Sequence, residues 1–276
     1  MSQGWKMLMM VLASGALIFA GLIGMVFLWQ TGLLFPTQIA AANRPTLPTS
    51  AERLELATAD GERLVGVRLK PQSSQAVSPP LLLGFGGNAW NAEAMALYLH
   101  DLFPDHEVVA FHYRGYPPST GEPSARALLA DSLAIFDYLN AERTRPTVAV
   151  GFSIGSGVAA DLARHRPVQG TILVTPFDTL AGLAKEHFPW APVGLLLRHQ
   201  MPVIELVRDT RTPAALIAAG RDTIVPARRT EPLRQAVPNL ILDRTIPEAG
   251  HNDLYGQPAF AAAMREALGR IEGAPR

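Results

Sequence analysis

The sequence predicts an α/β domain on a mostly parallel sheet, with an antiparallel N-terminal hairpin, helices on both faces and one transmembrane helix ahead of it. Short, nearly continuous apolar runs alternate with longer helical stretches from residue 81 onward. Two alternating segments before them flank a stretch containing Asp60-Gly61, and the N-terminus carries a long apolar run. Strands apolar on both sides belong to parallel sheets, because crossover helices cover both faces.

Residues 7–29 read MLMMVLASGALIFAGLIGMVFLW, and no ionisable side chain lies between Lys6 and Arg44. As a helix this run spans about 34 Å at roughly 1.5 Å per residue, enough for a hydrocarbon core of about 30 Å. A cleaved signal has an apolar core of only about 7–15 residues, so the run reads as an uncleaved anchor despite the small residues at Ala40-Ala41-Ala42. A helix buried in a soluble core would show a polar side. Trp5 and Trp29 bracket the run as interfacial aromatics do. Ala16, Ala20 and Gly24 form a small-residue stripe at four-residue spacing that suits helix-to-helix packing, although such residues are common in these spans and the oligomeric state stays open. With Lys6 beside the N-terminal end and Arg44 well past the other, the positive-inside rule favours a cytoplasmic N-terminus and a globular domain on the exported side. The expected division is an anchor over 1–30, a proline-containing linker over 31–51 and one α/β domain over 52–276.

Within that domain, 53–58 and 64–69 alternate and predict the hairpin. Apolar runs at 81–84, 107–113, 147–152, 171–175, 214–219 and 240–246 predict the parallel strands. Helices are expected over 91–102, 124–141, 155–165, 180–187, 227–236 and 257–271. The second of these shows its apolar face at Leu128, Leu129, Leu133, Ile135, Phe136 and Leu139, after a Pro123-Ser124 start that offers a serine cap.

Composition excludes several functions. Lys and Arg total 24 against 24 Asp and Glu, so no net charge draws the chain to nucleic acid, and no nucleic-acid partner is expected. With no cysteine there is no disulfide framework, thiolate zinc site, iron–sulfur cluster or cysteine nucleophile. Neither a metal nor an organic cofactor is called for.

The chemistry gathers after the strands. Residues 151–155 read Gly-Phe-Ser-Ile-Gly between a predicted strand and a predicted helix. This is the G-x-S-x-G pattern in which a tight turn pushes a serine hydroxyl outward and flanking glycines let the backbone turn. Serine needs a base to take its proton, and the base needs an acid to hold its tautomer. Asp222 follows the run ending at Ala219-Gly220, and His251 follows Ala249-Gly250, each just past a strand and in the order serine, acid, histidine. Asp178 is the competing acid, one strand earlier, but the Gly-x-Asp turn favours Asp222. His112, inside a predicted strand, and His165, at a helix end, have structural readings. Two N–H donors are needed for the oxyanion: Ile154, directly after the serine, and Asn88, in the glycine-rich loop GFGGNAWN after the first parallel strand. That loop fails as a phosphate-binding G-x-G-x-x-G, since the third glycine is missing.

The segments FGGNAWN, YRGYPPSTGEPS, GFSIGSG, TPFDTLAGLAKEHFPW, GRDTIVP and the late GH together resemble the α/β-hydrolase superfamily. In particular, the chain is similar to membrane-anchored α/β-hydrolase-domain proteins with a serine-aminopeptidase-like catalytic domain, over about residues 50–270. The resemblance implies Ser153 as nucleophile, Asp222 as acid, His251 as base, and Asn88 and Ile154 at the oxyanion. The chain has Gly86-Gly87-Asn88 where the family often has His-Gly-Asn, and Pro117 where glycine is common. The expected function is a membrane-tethered serine hydrolase of the carboxylesterase or thioesterase type. Its expected partners are an acyl ester or thioester, lipid-like acyl groups among them, and the bilayer. An aminopeptidase-like amide hydrolase and a non-catalytic tethered binding module are the alternatives. The interval between residues 175 and 214 is short for a substrate-covering lid and apolar at Phe188, Trp190 and 195–197, which suits either an open acyl site near the bilayer or a simple cover for the sheet.

Overall fold

The computed structural model describes residues 2–42, 44–73, 79–141 and 145–274, and every predicted strand, helix and site residue falls in those stretches. Eight strands form one sheet: β1 (Glu52–Ala57), β2 (Arg63–Leu69), β3 (Leu81–Phe85), β4 (Val108–Phe111), β5 (Thr147–Phe152), β6 (Gly170–Val174), β7 (Ala214–Ala219) and β8 (Leu240–Ile246). Their spatial order is β1-β2-β4-β3-β5-β6-β7-β8. The hairpin pairs antiparallel with Glu52 opposite Arg68, β2 pairs antiparallel with β4, and all remaining pairs are parallel. The chain leaves β3 for β4 on one side and returns to place β5 on the other, which makes the β3/β5 edge the topological switch point where such sheets bind ligands.

The helices are α1 (Gln3–Leu34), α2 (Thr37–Ala42), α3 (Ala92–Leu102), α4 (Ala125–Asn140), α5 (Ile154–His165), α6 (Leu180–His187), α7 (Val193–Leu196), α8 (Val203–Arg208), α9 (Ala227–Ala236) and α10 (Pro258–Glu272). Alternation along β3 divides the core: Leu81, Leu83 and Phe85 join the layer beneath α4, α5 and α8, while Leu82 joins the layer beneath α3 and α10. Ser124 Oγ accepts the Ala127 N–H at 3.1 Å and caps α4 where the sequence expects it. Asn91 caps α3 by accepting from the N–H groups of Glu93 and Ala94. The short α7 and α8 and the 3-10 turn Leu254–Gly256 were not foreseen, being shorter than any helical periodicity reveals.

The N-terminal segment departs most from expectation. The apolar helix runs on through residues assigned to a linker and ends at Leu34, so its length is about 48 Å at roughly 1.5 Å per residue, more than a bilayer core requires. Residues 37–42 form α2, and Phe35 and Ala40 are buried in the core of the α/β domain. Asn91 Nδ2 donates to the Ala40 carbonyl at 3.1 Å, and Arg44 binds Glu93 through two hydrogen bonds. A full apolar burial such as that of Phe35 contributes roughly 1.5–3 kcal/mol, which holds this segment to the domain where a linker is expected. The outer part of α1 remains bare: its most hydrophobic 18-residue window has mean hydropathy 2.4 and none of it is buried, so it is long and apolar enough to cross a membrane.

The last turns of α1 are joined to the chain between β6 and β7. Gln30 Nε2 donates to the Leu196 carbonyl at 3.1 Å, and Gln30 Oε1 accepts the Arg198 N–H at 2.8 Å. Thr31 Oγ1 lies 2.9 Å from His199 Nε2, and Phe35 meets the His199 ring edge-on at 5.1 Å. Burial, and then the charge of Arg198, hold the His199 imidazole below its ordinary value. The folded chain therefore takes up this proton at lower pH than the unfolded chain, so the contribution to stability is full above about pH 6.5 and falls as the pH drops from there toward the depressed folded value. In thermal denaturation of the detergent-solubilised protein, the Tm advantage of wild type over His199→Gln is expected to shrink between pH 7.5 and pH 5.5. An advantage equal at both values would contradict this coupling.

Candidate active site

Ser153 occupies the turn between β5 and α5 with φ 52° and ψ −116°. A non-glycine residue held there costs of order 1–3 kcal/mol and persists only where its surroundings over-determine it. Here they do. The Ser153 N–H donates to the Val174 carbonyl at 2.8 Å, and the Ser153 carbonyl accepts from the Ser156 N–H at 2.9 Å and the Ser156 hydroxyl at 2.5 Å. A Cβ on Gly151 would stand 2.3 Å from the Gly155 carbonyl oxygen, and one on Gly155 would stand 2.1 Å from the Phe85 carbonyl oxygen. Both glycines are thus required by contact distance, and the second lets the turn press against the end of β3.

Asp222 follows β7 and His251 follows β8. His251 Nδ1 lies 2.7 Å from Asp222 Oδ2. A carboxylate only accepts, so Nδ1 carries the proton and Nε2 is the ring's free lone pair. The other carboxylate oxygen, Asp222 Oδ1, accepts the N–H groups of Ile224 at 2.9 Å and Val225 at 2.7 Å. The Asp222 side chain is 2% exposed and that of His251 10%. Three donors at one buried carboxylate satisfy its oxygens and fix its plane. The turn carrying His251 is itself held, since the Gly250 N–H donates to Asp253 Oδ1 at 2.6 Å.

Ser153, Ile154, Asn88 and His251 line one cleft of about 520 Å³ at the β3/β5 switch point. Ile154 opens α5, so its N–H belongs to the first turn, where no intrahelical acceptor exists. The loop carrying Asn88 is ordered by two phenols absent from the sequence reading: Tyr113 OH donates to the Gly86 carbonyl at 2.8 Å and Tyr116 OH to the Asn88 carbonyl at 2.7 Å. Burial pushes both phenols above their ordinary value, so both remain donors. They order the loop at Gly86, where the resemblance would place a histidine. The Asn88 side chain in turn donates from Nδ2 to the Leu34 carbonyl at 3.2 Å, which ties the loop to the end of α1. Trp90 and Tyr255 also line the cleft, with ring centroids 4.8 Å apart over Phe152. Trp90 sits two residues from Asn88 in the glycine-rich loop, and that proximity was the available signal.

Asp178 turns away from this group: its carboxylate accepts the Thr179 N–H at 2.7 Å and lies 3.3 Å from Arg229. His112, just beyond β4, lies buried with Nε2 3.6 Å from Glu93, and His165 Nδ1 lies 2.9 Å from the Asp161 carbonyl oxygen. Among the described residues no three His, Asp or Glu side chains cluster as metal ligands would.

A switch-point elbow serine in one cleft with a carboxylate-bound histidine, on a sheet with this strand order, is the arrangement of an α/β hydrolase fold. The chain belongs to that family. Residues 81–209 match the Alpha/beta hydrolase family. The chain is similar to an uncharacterized protein of Mycobacterium tuberculosis, 32% identical over 249 residues and 88% of each chain. It is also similar to the lysophosphatidylserine lipase ABHD12 of Rattus norvegicus, 33% identical over 233 residues, 73% of this chain and 58% of that one. Protein bem46 of Schizosaccharomyces pombe is 28% identical over 223 residues, 74% of this chain and 73% of that one. Among solved structures, the esterase Pf2001 of Pyrococcus furiosus superposes with TM-score 0.62 at 19% identity, over 81% of this chain and 91% of that one. At that identity the likeness shows the fold. Hydrolysis is the chemistry that the family and its lipase relatives support.

Gly155→Ala is expected to force the elbow away from Phe85 and to cost roughly 1–3 kcal/mol, as overpacking does. Tyr116→Phe is expected to leave the Asn88 carbonyl without its donor, at about 1–3 kcal/mol if no water replaces it. Urea denaturation of each variant checks both, and wild-type midpoints would contradict the contacts described.

Proposed function

We propose that the protein is a membrane-tethered serine hydrolase that cleaves carboxylic esters or thioesters through an acyl-enzyme. The observation that carries this reading is the 2.7 Å contact from His251 Nδ1 to Asp222, with the strained Ser153 in the same cleft as the imidazole. Ser153 Oγ attacks the acyl carbonyl carbon as His251 Nε2 takes its proton, and Asp222 stabilises the imidazolium. The carbonyl electron pair moves onto oxygen, where the N–H groups of Ile154 and Asn88 receive it. Collapse expels the alcohol or thiol with the proton from His251. Water, deprotonated by His251, then attacks the acyl-serine and releases the acid. An acyl group suits the cleft: among the described residues its lining contains no acidic or basic side chain apart from His251, and Leu34, Phe177, Leu180 and Leu183 are among its walls. A peptide's charged amino terminus would find no carboxylate there. The bare length of α1 supports the tether, and Lys6 at its start supports a cytoplasmic N-terminus with the catalytic domain on the exported side.

In detergent, the purified chain is expected to hydrolyse p-nitrophenyl and thioester substrates but not aminoacyl amides. Asp222→Asn is expected to lower kcat roughly 10⁴-fold, the cost of the wrong imidazole tautomer, with an unchanged circular dichroism spectrum. Turnover of amides with esters left intact, or full activity in Asp222→Asn, would contradict the proposal.

A further inference from the structure

We propose that the groove between the C-terminal part of α1 and the α6–α7 segment is an acyl-chain subsite, so that the anchor helix forms one wall of the substrate site. It takes the hydrocarbon chain of an ester that enters from the bilayer. This rests on the serine-hydrolase reading and goes beyond it by naming where the acyl chain lies.

The groove, about 250 Å³, has Val26, Phe27 and Leu34 on the anchor side and Phe188, Val193 and Leu196 on the other. The anchor residues recur at helical spacing on the face of α1 that is less exposed than the rest of the helix. Among the described residues its one polar lining residue is Gln30, whose amide is engaged by the chain itself. Gln30 Nε2 donates to the Phe27 and Leu196 carbonyls at 2.9 and 3.1 Å, and Gln30 Oε1 accepts the Arg198 N–H. Gln30 therefore joins the two walls, and what faces the space between them is hydrocarbon. Such a space selects an apolar chain over any headgroup, because a polar group placed there would lose its hydrogen bonds to water.

Two observations fix the direction of the groove. Leu34 lines both the groove and the cleft of Ser153, and Leu183 of the cleft is followed directly by Ala184 of the groove. The two spaces thus adjoin at the end of α1, where Asn88 Nδ2 holds the Leu34 carbonyl. At the other end, Trp190 meets Phe19 of α1 with ring centroids 6.2 Å apart, and Leu195 is 88% exposed. Phe19 lies in the middle of the apolar run and Ile23, one turn further on, lines the groove, so the groove's far end lies beside the part of α1 suited to hydrocarbon. A chain occupying the groove would leave its carbonyl at the Leu34 end, beside the serine.

The test uses the full chain in detergent and p-nitrophenyl esters from acetyl to dodecanoyl. Wild-type kcat/KM is expected to rise about fourfold per added methylene over the first several carbons, the factor for burying one methylene. Leu196→Trp and Val26→Trp fill the groove from opposite walls, and each is expected to lower the decanoyl-to-acetyl ratio of kcat/KM at least tenfold. Ratios unchanged in both variants, with Ser153→Ala inactive, would overturn the acyl subsite and leave the hydrolase reading standing. A second readout needs no turnover. Palmitic acid with a terminal diazirine, photolysed with the Ser153→Ala protein, is expected to label residues 23–34 and 188–197, with labelling removed by excess palmitate and by Leu196→Trp. Labelling confined to other parts of the chain would overturn the proposal even if no ester is cleaved.

Discussion

The fold and site depend on one close approach, where the turn after β5 presses against the end of β3. A Cβ on Gly155 would lie 2.1 Å from the Phe85 carbonyl oxygen, and one on Gly151 2.3 Å from the Gly155 carbonyl oxygen. Because both positions are glycine, α5 starts directly over the sheet and Ser153 takes a positive φ that its neighbours hold in place. The same approach brings the first N–H groups of α5 next to the β3 loop. The sheet order makes this contact possible, since β3 and β5 are neighbours across the switch point although β4 lies between them in sequence.

Around that contact the polar groups are paired with little to spare. Asp222 meets two backbone N–H groups and His251, while Tyr113 and Tyr116 hold the carbonyls of Gly86 and Asn88. These bonds are made where water is largely excluded, so each is stronger than it would be at the surface and more costly to leave unmade. Trp90 and Tyr255, which line the cleft, pack at steep angles against each other and against Phe152. In the proposed reaction, this ordered loop beside a strained turn would supply the preorganised donors that charge development on an acyl oxygen requires.

What the sequence made legible was whatever its local pattern specifies. The six parallel strands, the hairpin, the elbow glycines and the order of Ser153, Asp222 and His251 are set by short-range apolar runs and turn residues, and each lies in the structure close to its predicted place. What it hid depends on contacts across the fold. Nothing local distinguishes Tyr113 and Tyr116 from surface phenols, because their acceptors are more than 25 residues away in the chain. The segment after Trp29 read as a linker because three prolines break its periodicity, yet Phe35 and Ala40 are buried by long-range packing. Gln30 was the overlooked signal: a long amide at the end of an otherwise apolar run, whose hydrogen bonds to Leu196 and Arg198 turn the helix end into part of the domain.

Helix α1 and the Ser153 cleft are consequently one physical unit, joined at Leu34 and Asn88. In the proposed reaction this unit activates Ser153 as a nucleophile. The most direct test of that activation is mass mapping of the adduct formed when the detergent-solubilised chain reacts with a fluorophosphonate. The account predicts a single phosphonyl adduct on Ser153 that disappears in Ser153→Ala. No adduct on a folded chain, or an adduct on another serine that persists in that variant, would contradict it.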